Sequence, residues 1–377
     1  MDFTLLRDYL SSLSTDLVPG MDLCVWREHE EIFRKFVGFR DREKGLKMNG
    51  KEKYWIFSAT KVFTATAGMQ CVERGLFLLD EPVSKYIPAY KLVTVNDNGH
   101  IRLPRKPLTI RHLFSMTGGF NYMIDNPSFQ KAKMYSFGKA DTLTMINALA
   151  EEPLDFFPGT HYQYSFCHDV LAAVIEVASG MKFSEYLKRN IFEPLGIQHT
   201  GFFGEDLSEF AQQYTYDDRL KKSVVRPEGN DNWYRLTENY ESGGAGLYST
   251  VEDYILLADA LACGGTGKSG KQILKPETIA LMTTPQLSEE IRKRDFINHF
   301  GPSYTYALGV RVNCEEGSSS PIGEFGWDGA ACAYTLCDPV NHLSAYLGMH
   351  VRGFGYGYDV IHHKVKDLLY AGFYAQD

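Results

Sequence analysis

The chain reads Trp55-Ile56-Phe57-Ser58-Ala59-Thr60-Lys61-Val62-Phe63 at the point where a strand-like apolar run gives way to a helix. Residues 62–72 carry apolar or small side chains on nearly every face, which is typical of a buried helix. The spacing of Ser58 and Lys61 places both side chains on one face. Burial lowers the pKa of an ammonium group, so a neutral Lys61 would accept the hydroxyl proton of Ser58. The backbone N–H of Ser58, free at the helix start, suits an oxyanion, as an activated nucleophile requires.

The Ser-x-x-Lys spacing alone is a weak signal because the chain contains it four times: Ser58/Lys61, Ser128/Lys131, Ser136/Lys139 and Ser179/Lys182. Ser128 and Ser136 stand in an aromatic, Lys-rich stretch without clear periodicity, and Ser179-Gly180 is typical of a helix end. Only the first pair opens a long apolar helix. On local context alone, a catalytic pair and a chance spacing are equally good interpretations of it.

The composition is that of an ordinary globular protein. Of the 377 residues, 44% are hydrophobic and 23% are charged, and the net charge of -8 argues against a nucleic-acid surface. No segment approaches the roughly 20 apolar residues that a membrane span needs, and residues 2–15 suggest an amphipathic helix rather than a signal peptide. We therefore expect a cytoplasmic protein. The seven cysteines include no Cys-x-x-Cys pair, so we expect reduced thiols and neither a metal nor a cofactor.

The order of the predicted elements indicates the fold class. Strand-like runs occur near both ends of the chain, at 21–27, 32–39, 304–312, 331–337 and 343–351, whereas helices occupy the middle. This arrangement predicts an α+β fold in which an antiparallel sheet from both termini is flanked by the N- and C-terminal helices. We expect a sheet domain from residues 1–80 and 245–377. The inserted domain, residues 81–244, is predicted to be mainly helical and is assigned to the all-helical class, although residues 95–106 indicate a polar hairpin or loop. The active site should lie between the two domains.

Five ordered motifs give the chain a family resemblance. It resembles the serine β-lactamase and penicillin-binding-protein superfamily, in particular the class C β-lactamase-like group with its family VIII carboxylesterases. The resemblance runs from about Met21 to the C-terminus. The matching segments are Ser58-Ala59-Thr60-Lys61, Leu113-Phe114-Ser115-Met116-Thr117-Gly118-Gly119, Pro158-Gly159-Thr160-His161-Tyr162-Gln163-Tyr164-Ser165-Phe166, Ala245-Gly246-Leu247-Tyr248-Ser249-Thr250-Val251-Glu252-Asp253 and Trp327-Asp328-Gly329.

The resemblance implies a role for each matching residue. Ser58 would attack an acyl carbonyl, and Lys61 and Tyr164 would act as general base and acid. An ammonium beside the Tyr164 hydroxyl is expected to lower the pKa of that hydroxyl. The backbone N–H groups of Ser58 and Ala330 would form the oxyanion hole.

Two departures from the β-lactamase pattern suggest the substrate. Phe166 replaces an asparagine that binds a substrate amide, and Trp327-Asp328-Gly329 replaces Lys-Thr-Gly, which removes a carboxylate-binding cation. Phe166 and Trp327 would instead form an apolar aromatic pocket beside Gly329. Asp328 would repel a carboxylate and tolerate a cationic group. These changes argue against efficient β-lactam hydrolysis and favour small neutral acyl esters.

Several functions remain open at this point. The leading hypothesis is an esterase-like serine acyl hydrolase that needs no cofactor and acts on a small-molecule acyl substrate. A β-lactamase, D-aminopeptidase or acyltransferase of the same superfamily would share the acyl-enzyme. A protein of another class, which binds or assembles without catalysis, is a further alternative. An α/β-hydrolase is disfavoured because no Gly-x-Ser-x-Gly occurs. The sequence does not indicate an oligomeric state.

Overall fold

The computed structural model describes residues 1–204 and 206–375, and strands occur at both ends of the chain and within the inserted stretch. In chain order the strands are β1 (Gly20–Arg27), β2 (Glu30–Asp41), β3 (Leu46–Lys47), β4 (Tyr54–Trp55), β5 (Val95–Asp97), β6 (His100–Arg102), β7 (Tyr214–Asp217), β8 (Lys222–Val225), β9 (Tyr248–Ser249), β10 (Tyr304–Tyr306), β11 (Arg311–Asn313), β12 (Phe325–Gly326), β13 (Tyr334–Asp338), β14 (Leu343–Met349) and β15 (Val351–Arg352).

Helices fill most of the remaining chain. The α-helices are α1 (Thr4–Ser12), α2 (Thr60–Glu73), α3 (Ile110–Phe114), α4 (Pro127–Tyr135), α5 (Thr142–Leu149), α6 (Cys167–Ser179), α7 (Phe183–Leu187), α8 (Glu193–Leu195), α9 (Val251–Ala262), α10 (Pro276–Met282), α11 (Glu289–Ile291), α12 (Ile297–Phe300) and α13 (His363–Tyr374). Short 3₁₀ turns span Phe57–Ala59, Val83–Lys85, Pro88–Leu92 and Leu207–Glu209, and π turns span Lys188–Phe192, Arg292–Phe296 and Gly357–His362.

The main sheet has eight antiparallel strands in the order β10-β11-β12-β13-β14-β1-β2-β3. The C-terminal strand β14 pairs with the N-terminal strand β1, so that Leu23 faces Leu347 across the ladder. Strand β1 also forms a hairpin with β2, in which Leu23 faces Lys35. The sheet is therefore assembled from both termini, as the sequence predicts.

Each face of the sheet packs against helices because side chains alternate along a strand. Met21, Leu23 and Val25 of β1 join the core that contains α1 and α13, while Cys24 points into the larger core on the other face. Helix α9 lies on that second face, where Tyr254 stacks on Tyr346 of β14 with ring centroids 3.8 Å apart. Helix α2 runs through the same core, buried from Thr60 to Cys71.

The inserted stretch is mainly helical, but the all-helical expectation is wrong in two places. Strands β5 and β6 form a hairpin because Asn98-Gly99 adopts positive φ at both residues, which suits a tight hairpin turn. Strands β7 and β8 form another hairpin, where the Asp217 carboxylate accepts hydrogen bonds from two backbone N–H groups of the turn. Strand β15 extends this pair in parallel with β7.

Helix length and polarity also bear on membranes. Within residues 1–204 and 206–375, none of the helices combines the length and apolar character needed to cross a bilayer.

Candidate active site

The segment that carries Ser58, the predicted nucleophile, is fixed from both sides before α2 begins; it is called the nucleophile segment below. Strand β4 pairs with β9, so Trp55 faces Tyr248, and the N–H of Ile56 donates to the carbonyl of Leu247 at 3.1 Å. The next residue, Phe57, is buried and has a φ of +46°, a conformation that bulky residues rarely adopt. This strained turn places Ser58 in a 3₁₀ turn that runs directly into α2.

Lys61 is the second residue of α2, one turn after Ser58, and its side chain is completely buried. Its Nζ donates to the carbonyl of Gly244 at 2.7 Å and lies 3.4 Å from both Ser58 Oγ and the Tyr122 hydroxyl. The ammonium also lies 4.4 Å from the centre of the Tyr164 ring. Burial lowers the pKa of Lys61 to about 7, although the Asp169 carboxylate opposes the shift. Lys61 is thus poised to gain or lose a proton near neutral pH.

Glycines at 243 and 244 allow this close contact. A Cβ at Gly244 would lie 2.4 Å from Oδ2 of Asp169 and 2.5 Å from the Tyr122 hydroxyl. A Cβ at Gly243 would lie 2.5 Å from the carbonyl of His168 on α6. The run of small residues before α9 therefore brings a backbone carbonyl against Lys61.

The buried carboxylate of Asp169 lies close enough to Lys61 for the two charges to interact. Its Oδ1 accepts hydrogen bonds from the Tyr240 hydroxyl at 2.8 Å and the Ser242 hydroxyl at 2.5 Å. Burial raises the pKa of this carboxyl, whereas Ser242 and the charge of Lys61 lower it, and burial is the larger effect. Asp169 and Lys61 therefore form a buried pair in which both pKa values move toward neutrality.

Tyr164 lies between Ser58 and Trp327, the residue that directly follows β12. Its hydroxyl interacts with the Ser58 hydroxyl and accepts a hydrogen bond from Nε1 of Trp327 at 3.2 Å. The two rings stack with centroids 5.6 Å apart. Burial raises the pKa of Tyr164, and the bonds from Ser58 and Trp327 offset this only in part. This direction is opposite to the expectation from sequence, because desolvation of the phenolate outweighs the neighbouring ammonium.

Gly329 and Ala330 lie against the nucleophile turn. A Cβ at Gly329 would lie 2.4 Å from the carbonyl oxygen of Ile56, so only glycine allows these two segments to approach. The carbonyl of Gly329 accepts a hydrogen bond from the Tyr358 hydroxyl at 2.8 Å, which fixes the loop. Within the described part of the chain, the backbone N–H groups of Ser58 and Ala330 donate to no protein acceptor.

The positions of Phe166 and Asp328 differ from those expected. Phe166 is only 1% exposed and packs behind Tyr122 with ring centroids 4.6 Å apart, so it supports that ring rather than facing solvent. Asp328 points away from Trp327 and accepts a hydrogen bond from Arg311 at 2.8 Å. Burial is the largest single effect and opposes ionisation of Asp328, but the charge of Arg311 together with His362 and His363 lowers the pKa of this carboxyl below its ordinary value. The carboxylate is therefore paired, and the expected repulsion of anionic substrates is largely neutralised.

Comparison with known proteins places this arrangement in a family. Residues 7–356 match the family model described as Beta-lactamase. The chain belongs to this family. The resemblance expected from the five motifs is thereby confirmed at the level of the family.

Relatives in the Beta-lactamase family include acyl-transferring and ester-cleaving proteins. Acyltransferase calJ from Penicillium decumbens is 28% identical over 359 residues, which cover 92% of this chain and 80% of the relative. Esterase EstB from Burkholderia gladioli is 29% identical over 266 residues, covering 64% of this chain and 65% of the relative. The solved structure of EstCE1, described as a hydrolase with promiscuous acyltransferase activity, has a TM-score of 0.81 at 22% identity and covers 98% of both chains. This likeness confirms the β-lactamase-type fold.

Two tyrosines of this Beta-lactamase family member were missed by the sequence analysis. Tyr122 stacks on Tyr164 with centroids 5.6 Å apart, and its hydroxyl lies beside Lys61. Tyr234 contacts the Tyr122 ring at 5.3 Å and the Phe57 ring at 6.3 Å. Both belong to stretches without regular periodicity, and their one signal was a high aromatic content. Both are half-buried, and they form an aromatic rim beside Phe57 and Lys61.

Proposed function

We propose that this protein is a serine acyl hydrolase that cleaves small, neutral acyl esters through an acyl-enzyme on Ser58. The observation that supports the proposal best is the position of Lys61, whose buried Nζ lies 3.4 Å from Ser58 Oγ. Its pKa of about 7 makes it a base at neutral pH. A general base works best when its pKa lies near the working pH.

In the proposed acylation step, neutral Lys61 accepts the proton of the Ser58 hydroxyl while Oγ attacks the carbonyl carbon of the ester. Tyr164 has a raised pKa, so it stays protonated and acts as a hydrogen-bond donor rather than as a phenolate base. The carbonyl oxygen becomes an oxyanion, which the backbone N–H groups of Ser58 and Ala330 would stabilise by hydrogen bonds. Collapse of the intermediate breaks the C–O bond, and the alcohol leaves with a proton from Lys61 through Tyr164.

Deacylation reverses these roles. A water molecule gives its proton to the same Tyr164–Lys61 pair and attacks the acyl carbon, which releases the acid and restores the Ser58 hydroxyl. The hydrogen bond from the Trp327 indole to the Tyr164 hydroxyl supports this scheme because it fixes the hydroxyl between nucleophile and leaving group. Trp327 is therefore proposed to position Tyr164 as well as to form an apolar wall.

The surroundings of Ser58 favour neutral apolar acyl groups. Tyr122, Tyr164 and Tyr234 present aromatic surface at the rim, and Trp327 lies behind them. Arg311 is the cation beside the Trp327-Asp328-Gly329 segment, and it is already paired with the Asp328 carboxylate. It is therefore not free to bind a substrate carboxylate. We therefore propose that β-lactams are poor substrates.

The test uses p-nitrophenyl esters of increasing chain length alongside nitrocefin. Wild type should cleave the esters and leave nitrocefin almost untouched, whereas Ser58→Ala and Lys61→Ala should reduce ester cleavage by at least about 10³-fold. Lys131→Ala is a matched control because Ser128/Lys131 has the same spacing but an exposed lysine, and it should keep full activity.

Other outcomes select among the alternatives. Rapid nitrocefin cleavage would favour a β-lactamase. Failure to cleave any ester, together with failure of Ser58 to react with a fluorophosphonate, would favour a binding or assembly protein without catalysis.

A second candidate is acyl transfer to an alcohol. The 28% identity to an acyltransferase over 92% of the chain supports it, as does an aromatic rim able to hold an apolar acceptor. A p-nitrophenyl ester supplied with a primary alcohol separates the two functions. Transfer predicts that the ester product rises with alcohol concentration at the expense of free acid, whereas pure hydrolysis predicts free acid throughout.

A further inference from the structure

Three different metal-ligating side chains meet at the end of the sheet remote from Ser58. His29 lies in the turn between β1 and β2, and Asp259 and Cys263 lie one turn apart at the C-terminal end of α9. One ligand atom from each residue lies within 4.8 Å of the other two. His29 Nδ1 is 2.7 Å from Oδ2 of Asp259, and Sγ of Cys263 is 3.7 Å from Oδ1. His29 and Asp259 are 230 positions apart in the sequence, whereas Asp259 and Cys263 are 4 apart. Sequence spacing could therefore not reveal the cluster.

The donor set matches the preferences of one ion. Imidazole nitrogen, carboxylate oxygen and thiolate sulfur all bind Zn²⁺ at about 2.0–2.3 Å in a tetrahedral arrangement. Ligand atoms of such a site lie about 3.3–3.8 Å apart. The distance from Sγ of Cys263 to Oδ1 of Asp259 already falls in this range. The distance from Nδ1 of His29 to the other oxygen, Oδ2, would have to increase by about 0.6 Å, and a small rotation of the carboxylate would bring one oxygen to both ligands.

We propose that His29, Asp259 and Cys263 bind a Zn²⁺ ion, with solvent as the fourth ligand. The ion replaces the hydrogen shared by His29 and Asp259, so His29 binds through Nδ1 as the neutral ring with its proton on Nε2. The thiol of Cys263 gives its proton to solvent when the sulfur coordinates. His29 is 32% exposed, which leaves room for water on that side, whereas Asp259 is completely buried.

The charges and the supporting elements fit this ion. The buried Asp259 carboxylate and a coordinated Cys263 thiolate together carry two negative charges, which Zn²⁺ neutralises. Glu28, adjacent to His29, adds further negative potential close to Cys263. The turn belongs to the paired strands β1 and β2, and α9 packs on β1, so both halves of the site lie on rigid elements.

The site would be structural rather than catalytic. Helix α9 has 12 residues, about 18 Å of length, and begins at the end that lies beside the nucleophile segment. The proposed ion would lie at the opposite end, where it would join the β1–β2 turn to α9. Zinc should therefore raise thermal stability and leave the chemistry at Ser58 unchanged.

The competing explanation is that Asp259 merely fixes the turn. Its Oδ1 accepts a hydrogen bond from the backbone N–H of His29 at 3.1 Å, which a structural role explains equally well. In that explanation the Cys263 thiol only donates a weak hydrogen bond to Oδ1 of Asp259 and binds no ion. A measurement that reports sulfur coordination therefore separates the two.

The experiment titrates Co²⁺ into chelator-treated full-length protein and records absorption, because thiolate coordination adds a near-ultraviolet charge-transfer band and tetrahedral Co²⁺ gives strong visible bands. Zn²⁺ competition and thermal melts with and without Zn²⁺ accompany it. Cys263→Ser and His29→Gln are the test variants. Cys314→Ser is the matched control because Cys314 is an exposed free thiol elsewhere.

We expect one equivalent of Co²⁺ with both bands, displacement by Zn²⁺, and a higher melting temperature with Zn²⁺. Cys263→Ser should lose the charge-transfer band, and both test variants should bind at least about tenfold more weakly and lose the thermal gain. Cys314→Ser should behave like wild type. Absence of stoichiometric binding, or binding unchanged in Cys263→Ser and His29→Gln, would overturn the proposal.

Discussion

Replacing Lys61 by methionine should make the fold more stable while it removes the proposed base. The side chain is completely buried, and burial holds its pKa at about 7 instead of 10.5. Methionine has nearly the same length and shape but no charge to desolvate. The substitution therefore isolates the energetic cost of a lysine at this position.

The magnitude follows from the pKa. A fall from 10.5 to about 7 corresponds to about 4 kcal/mol of destabilisation at pH 7, where the unfolded chain binds a proton that the native state half releases. Methionine loses the hydrogen bond to the Gly244 carbonyl, which leaves a buried acceptor unpaired at a cost of about 1–2 kcal/mol. The expected net gain for Lys61→Met is about 2–3 kcal/mol at pH 7.

The stability gained by Lys61→Met should become smaller at higher pH. Between pH 7 and 10.5 the unfolded state binds more protons at this group than the native state, so wild-type stability rises with pH. At pH 9 the cost of the native lysine falls to about 2 kcal/mol, and above 10.5 it disappears. The variant has no such group, so its advantage should fall by about 2 kcal/mol from pH 7 to pH 9.

Urea denaturation at pH 7 and pH 9 measures this difference, provided that the dependence of free energy on urea is the same for both proteins. Lys131→Met is the matched control because Lys131 is exposed and paired with Glu151, so its effect should stay within about 0.5 kcal/mol at both pH values. If Lys61→Met were less stable than wild type at pH 7, or if its advantage did not change with pH, Lys61 would be a fully charged, well-compensated residue. The proposed role as a neutral base would then fail.

Three further predictions concern activity. The kcat/KM for a p-nitrophenyl ester should rise about tenfold per pH unit below pH 7 and level off above pH 7, because Lys61 must be neutral to accept the serine proton. A flat profile between pH 5 and 8 would contradict this. Trp327→Phe keeps a ring against Tyr164 but removes the indole N–H, so kcat should fall about tenfold with little change in KM. Gly329→Ala adds a Cβ 2.4 Å from a backbone oxygen, so it should lower kcat/KM more than about tenfold in the same assay.

Two control variants check that these effects are local. Tyr306→Phe alters another ring that packs on Trp327, at 5.0 Å, but its hydroxyl has no hydrogen-bond partner among the described residues, so kcat should not change. Gly355→Ala adds a Cβ whose nearest neighbour is 3.7 Å away, so activity should be retained. If either control lost as much activity as its partner variant, the loss would reflect general damage to the fold.

The sequence predicted the sheet well because its central strands are continuous apolar, β-rich runs, buried on both faces, and such runs at both ends of the chain are local signals. It left residues 95–106 open between a hairpin and a loop and missed the β7–β8 hairpin, because Asn98-Gly99 and the Asp217 turn determine strand pairing through backbone geometry rather than hydrophobic pattern. An Asn-Gly pair is itself a hairpin signal, so β5–β6 could have been assigned more firmly. Strands β7 and β8 carry no comparable dipeptide.

The residues of the candidate site also fall into two groups, those that local sequence spacing brings together and those that only the folded structure brings together. Ser58 and Lys61 are adjacent on one helix, so spacing alone brought them together. Tyr122 and Tyr234 reach Lys61 and Phe57 from irregular segments, and no periodicity predicts such contacts. The pairing of Asp328 with Arg311 joins two neighbouring strands of the sheet, so its partner could not be identified until the register was known.

The structure suggests why the lysine pKa settles near neutrality rather than lower. Desolvation alone would move the proton off Lys61, but the Asp169 carboxylate and the aromatic rings of Tyr122 and Tyr164, 5.2 and 4.4 Å from Nζ, favour the charged form. A base that is too acidic could not remove the serine proton, and one that is too basic would stay protonated. The Gly244 carbonyl, brought close by a residue without a side chain, makes the remaining hydrogen bond. The aromatic rings would thus both bind the acyl group and adjust the base.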